Sequence, residues 1–298
     1  MNPAGRFAPS PSGLLHFGSL LAAAGSYLDA RHSGGRWLLR IEDLDRPRSQ
    51  PGAETAILAT LTAFGFRPDG PVARQSERIR LYEAALQRLD ARGLVFPCDC
   101  SRREIAVLTA PGQETQCVRD CRSRLSGRSD ACLRVALDGL EPVQIVDRSL
   151  GPVLFDPVAH RDVIIRRRDG IFSYHFAVVV DDADQGISDV VRGADLLGST
   201  PWQLGLQKAL GIAAPRYLHL PVVVEPDGSK LAKSRRALPV SDLNPRDTLA
   251  DVLRLLGQPG DRARHEQPMG DYWRAAIAAW DPGAFRGVDT VPAPLLTQ

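Results

Sequence analysis

Apolar positions change their spacing several times along the first hundred residues. Residues 5–8 predict a short strand, followed by a Pro-Ser-Pro-Ser-Gly turn at 9–13. Over residues 18–31, Leu20, Leu21, Ala24, Tyr27 and Leu28 recur at helical spacing. Residues 37–41 (Trp-Leu-Leu-Arg-Ile) predict a buried strand that ends in the acidic run Glu42-Asp43-Leu44-Asp45. Two more helices are predicted, from about 52 to 64 and from about 77 to 92. The second carries Leu81, Ala85 and Leu89 on one face. Strand and helix in alternation at short spacing predict an α/β fold with a parallel sheet.

The middle of the chain reads differently. Residues 98–128 are rich in cysteine and arginine and have few periodic apolar positions. Short β-like runs follow at 133–137, 143–146 and 163–165, so this stretch reads as an insertion. The α/β character returns at 177–180 and 189–192, with a helix over about 201–210. A loop, PDGSKLAKSRRA, precedes a helix near 248–256. Beyond Gly257 the chain is rich in Pro and Gly and holds Trp273 and Trp280, and no element is read there.

Composition narrows the class. A length of 298 residues suggests about two domains. With 44% hydrophobic residues and a net charge of +2, disorder is excluded. No run reaches the roughly 18 apolar residues of a membrane span. The start, MNPAGRFAPSPSG, lacks the pattern of a signal peptide, which gives the expectation of a cytoplasmic protein without disulfides. The small net charge argues against a general DNA coat but leaves room for RNA binding through a local patch.

Four sets of residues carry candidate chemistry. In PSPSGLLHFGS, His16 and Gly18 sit at a helix start, where backbone N–H groups and the helix dipole favour an anion. A glycine at 18 lets a ligand approach the backbone. Taken alone, this is a plain turn with a surface histidine. In KLAKS, Lys230 and Lys233 could reach one polyphosphate. Alone, they are a solvated basic loop. Cys98, Cys100, Cys117 and Cys121 are dense enough to suggest tetrahedral zinc, whereas Cys132 lies in an apolar run and reads as a core thiol. Arg6, Ser10, Glu42, Tyr174 and Arg192 each fall at or near a predicted strand end, where ligands sit in open α/β sheets. Each could equally be a surface ion-pair partner. The arginine-rich segments 119–128 and 166–168 are candidate RNA contacts or simply a solvated basic face.

A common framework joins these sets. RFAPSPSGLLHFGSLLAA, RIEDLD, YHFAVVVDD, DVVRGADLL and KLAKS, in that order over residues 5 to 240, resemble the class I glutamyl-tRNA synthetases. HFGS stands at the HIGH motif and KLAKS at the KMSKS loop. Only 64 residues follow Ser234, too few for a large anticodon-binding part. The chain is therefore similar to a truncated branch of that family, which glutamylates queuosine at the wobble position of tRNA(Asp). Val178, where full-length enzymes usually have Asn, fits that branch.

The resemblance implies a Rossmann-like catalytic domain in two halves, residues 1–95 and 171–240. Between them lies a zinc-containing insertion at 96–170, and a short C-terminal helical segment follows at 241–298. It also implies ATP-dependent activation of L-glutamate without tRNA, with Mg²⁺ accompanying ATP. His16 and Gly18 with Lys230 and Lys233 would bind ATP. Arg6, Phe7, Ala8, Pro9, Ser10, Glu42, Tyr174 and Arg192 would bind glutamate. One structural zinc would sit on Cys98, Cys100, Cys117 and Cys121, and the partner would be the anticodon stem-loop of queuosine-modified tRNA(Asp). A monomer with no membrane contact is expected. Two departures stand out. Cys117 occupies a place where the family often has a Tyr ligand, and Ala232 replaces a small hydroxyl residue. Competing readings are a minimal synthetase charging a tRNA 3′ end, an inactive RNA-binding paralogue, and a nucleotidyltransferase sharing the HIGH-like motif.

Overall fold

The computed structural model describes residues 2–101, 103–105, 116–124, 131–225, 228, 239–260 and 267–293. The chain opens with β1 (Ala4–Phe7), α1 (Phe17–His32), β2 (Arg36–Ile41), α2 (Ala53–Ala63), β3 (Ala73–Arg74) and α3 (Ile79–Asp90). It continues through β4 (Val95–Cys98), α4 (Cys121–Arg124), β5 (Cys132–Ala136), β6 (Val143–Asp147), β7 (Gly151–Phe155) and β8 (Asp162–Arg166). Next come α5 (Tyr174–Asp184), β9 (Asp189–Gly193), α6 (Thr200–Leu210), β10 (Arg216–Leu220) and β11 (Val222–Val224). It closes with α7 (Pro245–Leu255), α8 (Met269–Ala278) and β12 (Thr290–Pro292).

β1, β2 and β3 pair in parallel, as do β9 and β10. The Ser188 amide donates to the Ala4 carbonyl at 3.0 Å, and Ser188 Oγ accepts from the Ala4 amide at 2.9 Å. These bonds set β9 beside β1, so the strands run in the spatial order β3-β2-β1-β9-β10. This is the arrangement of a doubly wound nucleotide-binding fold. The antiparallel strands β4-β5-β8 and the β6-β7 hairpin lie between the two parallel groups in sequence.

Alternation along β2 sorts its side chains to two faces. Trp37, Leu39 and Ile41 join Phe7, Leu218 and Leu220 in a core covered by α1, α2, α7 and α8. Leu38 and Arg40 face the other way, toward a core that includes Tyr82, Phe176 and Trp202. Gly25 lets α1 lie close on the sheet, since a Cβ there would come within 2.5 Å of Leu220. Tyr27, Phe66 and Trp273 pack ring against ring, with centroids 4.9 to 5.3 Å apart.

Two sequence expectations change. Tyr174 opens a helix and does not end a strand, and the valines at 178–180 lie inside α5. Ser173 caps that helix by accepting from the Phe176 amide. Residues 176 to 182 are all buried, and burial overrides the weak strand preference of valine. The C-terminal segment also carries more structure than its Pro and Gly content suggests. β12 pairs with β11, Trp273 Nε1 donates to the Phe64 carbonyl at 2.9 Å, and Trp280 Nε1 donates to Asp29 at 3.0 Å. Among the described residues, no helix is long and apolar enough to cross a membrane.

Candidate active site

A cleft of about 970 Å³ opens at the carboxyl ends of β1, β2, β9 and β10. Arg6, Phe7, Ala8, Pro9, Ser10, His16, Gly18, Glu42, Tyr174 and Arg192 all line it. The chain brings them together because each parallel strand ends at the same edge of the sheet. The loop after β1 is tied to the end of β2, where the Glu42 amide donates to the Pro9 carbonyl at 3.0 Å. Lys230 and Lys233 lie outside the described residues. The strand leading toward them, through Val222 and Val223, lines the cleft, and the Val240 amide beyond them donates to the Leu15 carbonyl at 3.0 Å.

His16 takes a specific place. It is the N-cap of α1, and its Nδ1 accepts from the Ser19 amide at 3.2 Å. One of the open amides of the first turn is thereby satisfied by the imidazole. Gly18 is also small for a local reason, since a Cβ there would lie 3.2 Å from the His16 ring.

The floor of the cleft is a buried charge network. Arg6 Nε donates to Asp182 at 3.1 Å, and Arg40 Nη1 donates to the same carboxylate at 2.8 Å. Arg40 Nη2 also pairs with Glu42 at 3.4 Å. Burial alone would raise the Asp182 carboxyl, but Arg6 and Arg40 outweigh it and hold it below its ordinary value. Burial wins at Glu42, which is pushed up to about 7 against the pull of Arg40 and Arg6. Behind them, Asp181 accepts from Gln75, Arg78 and Tyr82 at 2.6 to 3.0 Å. The pattern of residues assigned no role to Arg40, Asp181 or Asp182. A signal was present, because charges inside apolar runs such as Trp37–Ile41 and Val178–Asp182 need buried partners.

Arg192 is held differently. It is buried, and its Nη1 donates to Gln203 at 2.8 Å while its Nη2 donates to Thr200 at 2.8 Å. Its Nε faces His219 Nε2 at 3.2 Å. None of these partners carries a carboxylate, so the guanidinium keeps charge available for an anionic ligand.

The cysteine cluster lies apart from the parallel sheet. The Sγ atoms of Cys98, Cys100, Cys117 and Cys121 all lie within 4.8 Å of one another, with Cys100 3.9 Å from Cys117 and 3.6 Å from Cys121. A tetrahedral zinc–thiolate centre, with bonds of about 2.3 Å, needs sulfur separations of about 3.8 Å. The four sulfurs therefore fit a metal of that kind. Cys132 stays outside the set and donates to the Cys98 carbonyl at 3.0 Å. Among the described residues, arginines of the arginine-rich segments are engaged within the protein. Arg167 bridges to Asp45 at 2.8 Å at the cleft rim, Arg119 pairs with Asp99 at 2.8 Å, and Arg122 pairs with Asp138.

A cleft with nucleotide-binding topology and paired arginines beneath a HIGH-like turn defines a class I aminoacyl-tRNA synthetase site. The family model for tRNA synthetases class I (E and Q), catalytic domain, matches residues 4–263. The chain is 48% identical over 295 residues to the glutamyl-Q tRNA(Asp) synthetase of Pseudomonas aeruginosa, covering 97% of each. It is 53% identical over 260 residues to that of Xanthomonas campestris pv. campestris, covering 85% of this chain and 83% of the other. A crystal structure of glutamate-tRNA synthetase from Elizabethkingia anophelis superposes with a TM-score of 0.79 at 24% identity, over 99% of this chain and 68% of that one. The chain belongs to the class I glutamyl and glutaminyl tRNA synthetase family, in the branch whose curated members are named glutamyl-Q tRNA(Asp) synthetase. It is accordingly a ligase.

Proposed function

We propose that this enzyme activates L-glutamate with ATP, without tRNA, and transfers it to the queuosine base of tRNA(Asp). The observation that carries this reading is the gathering of Arg6, Glu42, Tyr174 and Arg192 with His16 and Gly18 around one cleft. Arg192 and Arg6 bind the two carboxylates of glutamate, and Glu42 accepts its ammonium. The α-carboxylate oxygen attacks the α-phosphorus of ATP. The bond to the β-phosphate breaks, and pyrophosphate leaves. The start of α1 beside His16 and Gly18 seats the nucleotide, and Lys230 and Lys233 offset charge on the leaving polyphosphate. Mg²⁺ enters bound to the phosphates of ATP. A queuosine hydroxyl then attacks the adenylate carbonyl, AMP leaves, and the hydroxyl proton passes to its phosphate.

Cys98, Cys100, Cys117 and Cys121 hold one zinc. Four thiolates leave no open coordination position, so the metal supplies folding order rather than chemistry. Two measurements test the reading. Glutamate-dependent pyrophosphate exchange should proceed without tRNA. Labelled glutamate should enter tRNA only when queuosine is present and should be released by mild alkali. Label that appears equally without queuosine would move the acceptor to a 3′ ribose.

A further inference from the structure

The cleft-facing Arg192 is connected to a carboxylate one imidazole away. His219, on β10, is buried and lies between Arg192 and Asp147. Its Nδ1 lies 2.7 Å from Asp147 Oδ2, and its Nε2 lies 3.2 Å from Arg192 Nε. Asp147 ends β6, in the antiparallel part of the chain. Its carboxylate also accepts from the Ser149, Leu150 and His219 amides. These bonds lock Asp147 in place and leave its second function directed at the imidazole.

Only one protonation state satisfies both neighbours. A carboxylate at Nδ1 requires a proton there. A guanidinium N–H at Nε2 requires a lone pair. The imidazole is therefore neutral, donating to Asp147 and accepting from Arg192. Burial and the nearby arginine both hold its pKa below the ordinary value, against the pull of Asp147. Gln203 and Thr200 take the far edge of the same guanidinium. Tyr217 lies under it, with the guanidinium carbon 5.3 Å from the ring centre.

We propose that His219 and Asp147 are positioning residues that fix the plane of Arg192 without neutralising it. A carboxylate bound directly to Arg192 would compete with the anionic ligand. A carboxylate acting through a neutral imidazole orients the fork and leaves its charge for that ligand. The inference rests on the assignment of Arg192 to a glutamate carboxylate.

Steady-state pyrophosphate exchange on the full chain tests it. His219→Ala should raise the KM for glutamate by about 10- to 100-fold, the effect of one hydrogen bond to a charged group. The KM for ATP and kcat should stay within about twofold. Two shape-similar variants separate positioning from packing. In His219→Gln, the side-chain oxygen reaches the Nε2 position and can accept from Arg192, so most of the glutamate affinity should return. In His219→Asn, the amide reaches only the Nδ1 position, and the high KM should persist. If His219→Ala fails to fold, the Gln and Asn pair decides the matter. Equal glutamate KM values for that pair, or equal rises in the KM for glutamate and ATP, overturn the inference. A wild-type enzyme with no glutamate-dependent exchange would instead overturn the assignment of the cleft.

Discussion

The cleft and the cysteine cluster both concentrate polar groups away from water, but they are built in opposite ways. At the cleft, most charges are opposed by another part of the fold. Asp182 faces Arg6 and Arg40, Asp181 faces Arg78, and Asp147 reaches Arg192 through His219. The strands and the helix α5 that carry most of these groups pack into two large apolar cores. At the cluster, four sulfurs converge from a strand end, two irregular segments and one short helix, within a small core. The four sulfurs fit a metal, and on the proposed reading a zinc ion supplies the charge that opposes four thiolates. On that reading the fold organises the cleft before any ligand arrives, whereas zinc organises the cluster. Changes at the cleft should therefore remove activity and spare the fold, and changes at the cluster should do the reverse.

The sharpest test of that contrast is Arg192→Ala. Removing a buried charged partner of the substrate should lower kcat/KM for glutamate by on the order of a thousandfold. The melting temperature should stay near the wild-type value, and near-normal pyrophosphate exchange would refute the assignment. Lys233→Ala is the next largest. Loss of a transition-state cation should lower kcat by about a hundredfold while the KM for ATP changes little. A change confined to that KM would assign Lys233 to ground-state binding. Cys100→Ser should reverse the pattern. Zinc content should drop from one per chain to well below one. Amide exchange should rise across residues 95–101 and 116–124, while glutamate-dependent exchange should stay within about tenfold of wild type. Unchanged amide protection in the zinc-free variant would show that the cluster is organised by the fold after all.

How much of this was legible in the sequence follows from the same contrast. The alternation that predicts strands at 5–8 and 37–41 and a helix at 18–31 is local, and the structure has β1, β2 and α1 within a residue or two of those bounds. The cysteines could be grouped because ligand spacing is also local. The helix that Tyr174 opens is not legible locally, because the valine run behind Tyr174 prefers a strand in isolation and only burial on every side makes it a helix. Asp147 and His219 carry no local signal. They lie 72 residues apart, on a hairpin and a parallel strand, and no short motif links them. Asp182 belongs to the YHFAVVVDD block, but its role depends on Arg6 and Arg40, which approach it on α5 from two strands. β12 is not legible locally because its partner β11 lies some seventy residues earlier in the chain.

The smallest expected effect probes whether the cleft is as well balanced as its ion pairs suggest. Glu42 lies in the same network, yet its carboxyl is pushed up to about 7, chiefly by burial. A carboxyl raised above its ordinary value near 4.5 favours folding while it is protonated. That contribution is complete below about pH 4.5 and is lost as pH rises through about 7. Above that, the folded protein carries a buried carboxylate that Arg40, at 3.4 Å and already shared with Asp182, does not fully compensate. Glu42→Gln removes the charge and keeps the shape. Its melting temperature should exceed wild type by a few degrees at pH 8, and the gain should shrink toward zero near pH 5. The same variant should lose affinity for glutamate, because the ammonium loses its counter-charge. Added glutamate should raise the wild-type melting temperature at pH 8 far more than that of the variant. A variant less stable than wild type at pH 8 would mean that the Arg40 pair outweighs burial. Glu42 would then belong to the balanced part of the network, and the cleft would hold no charge in reserve for the ammonium.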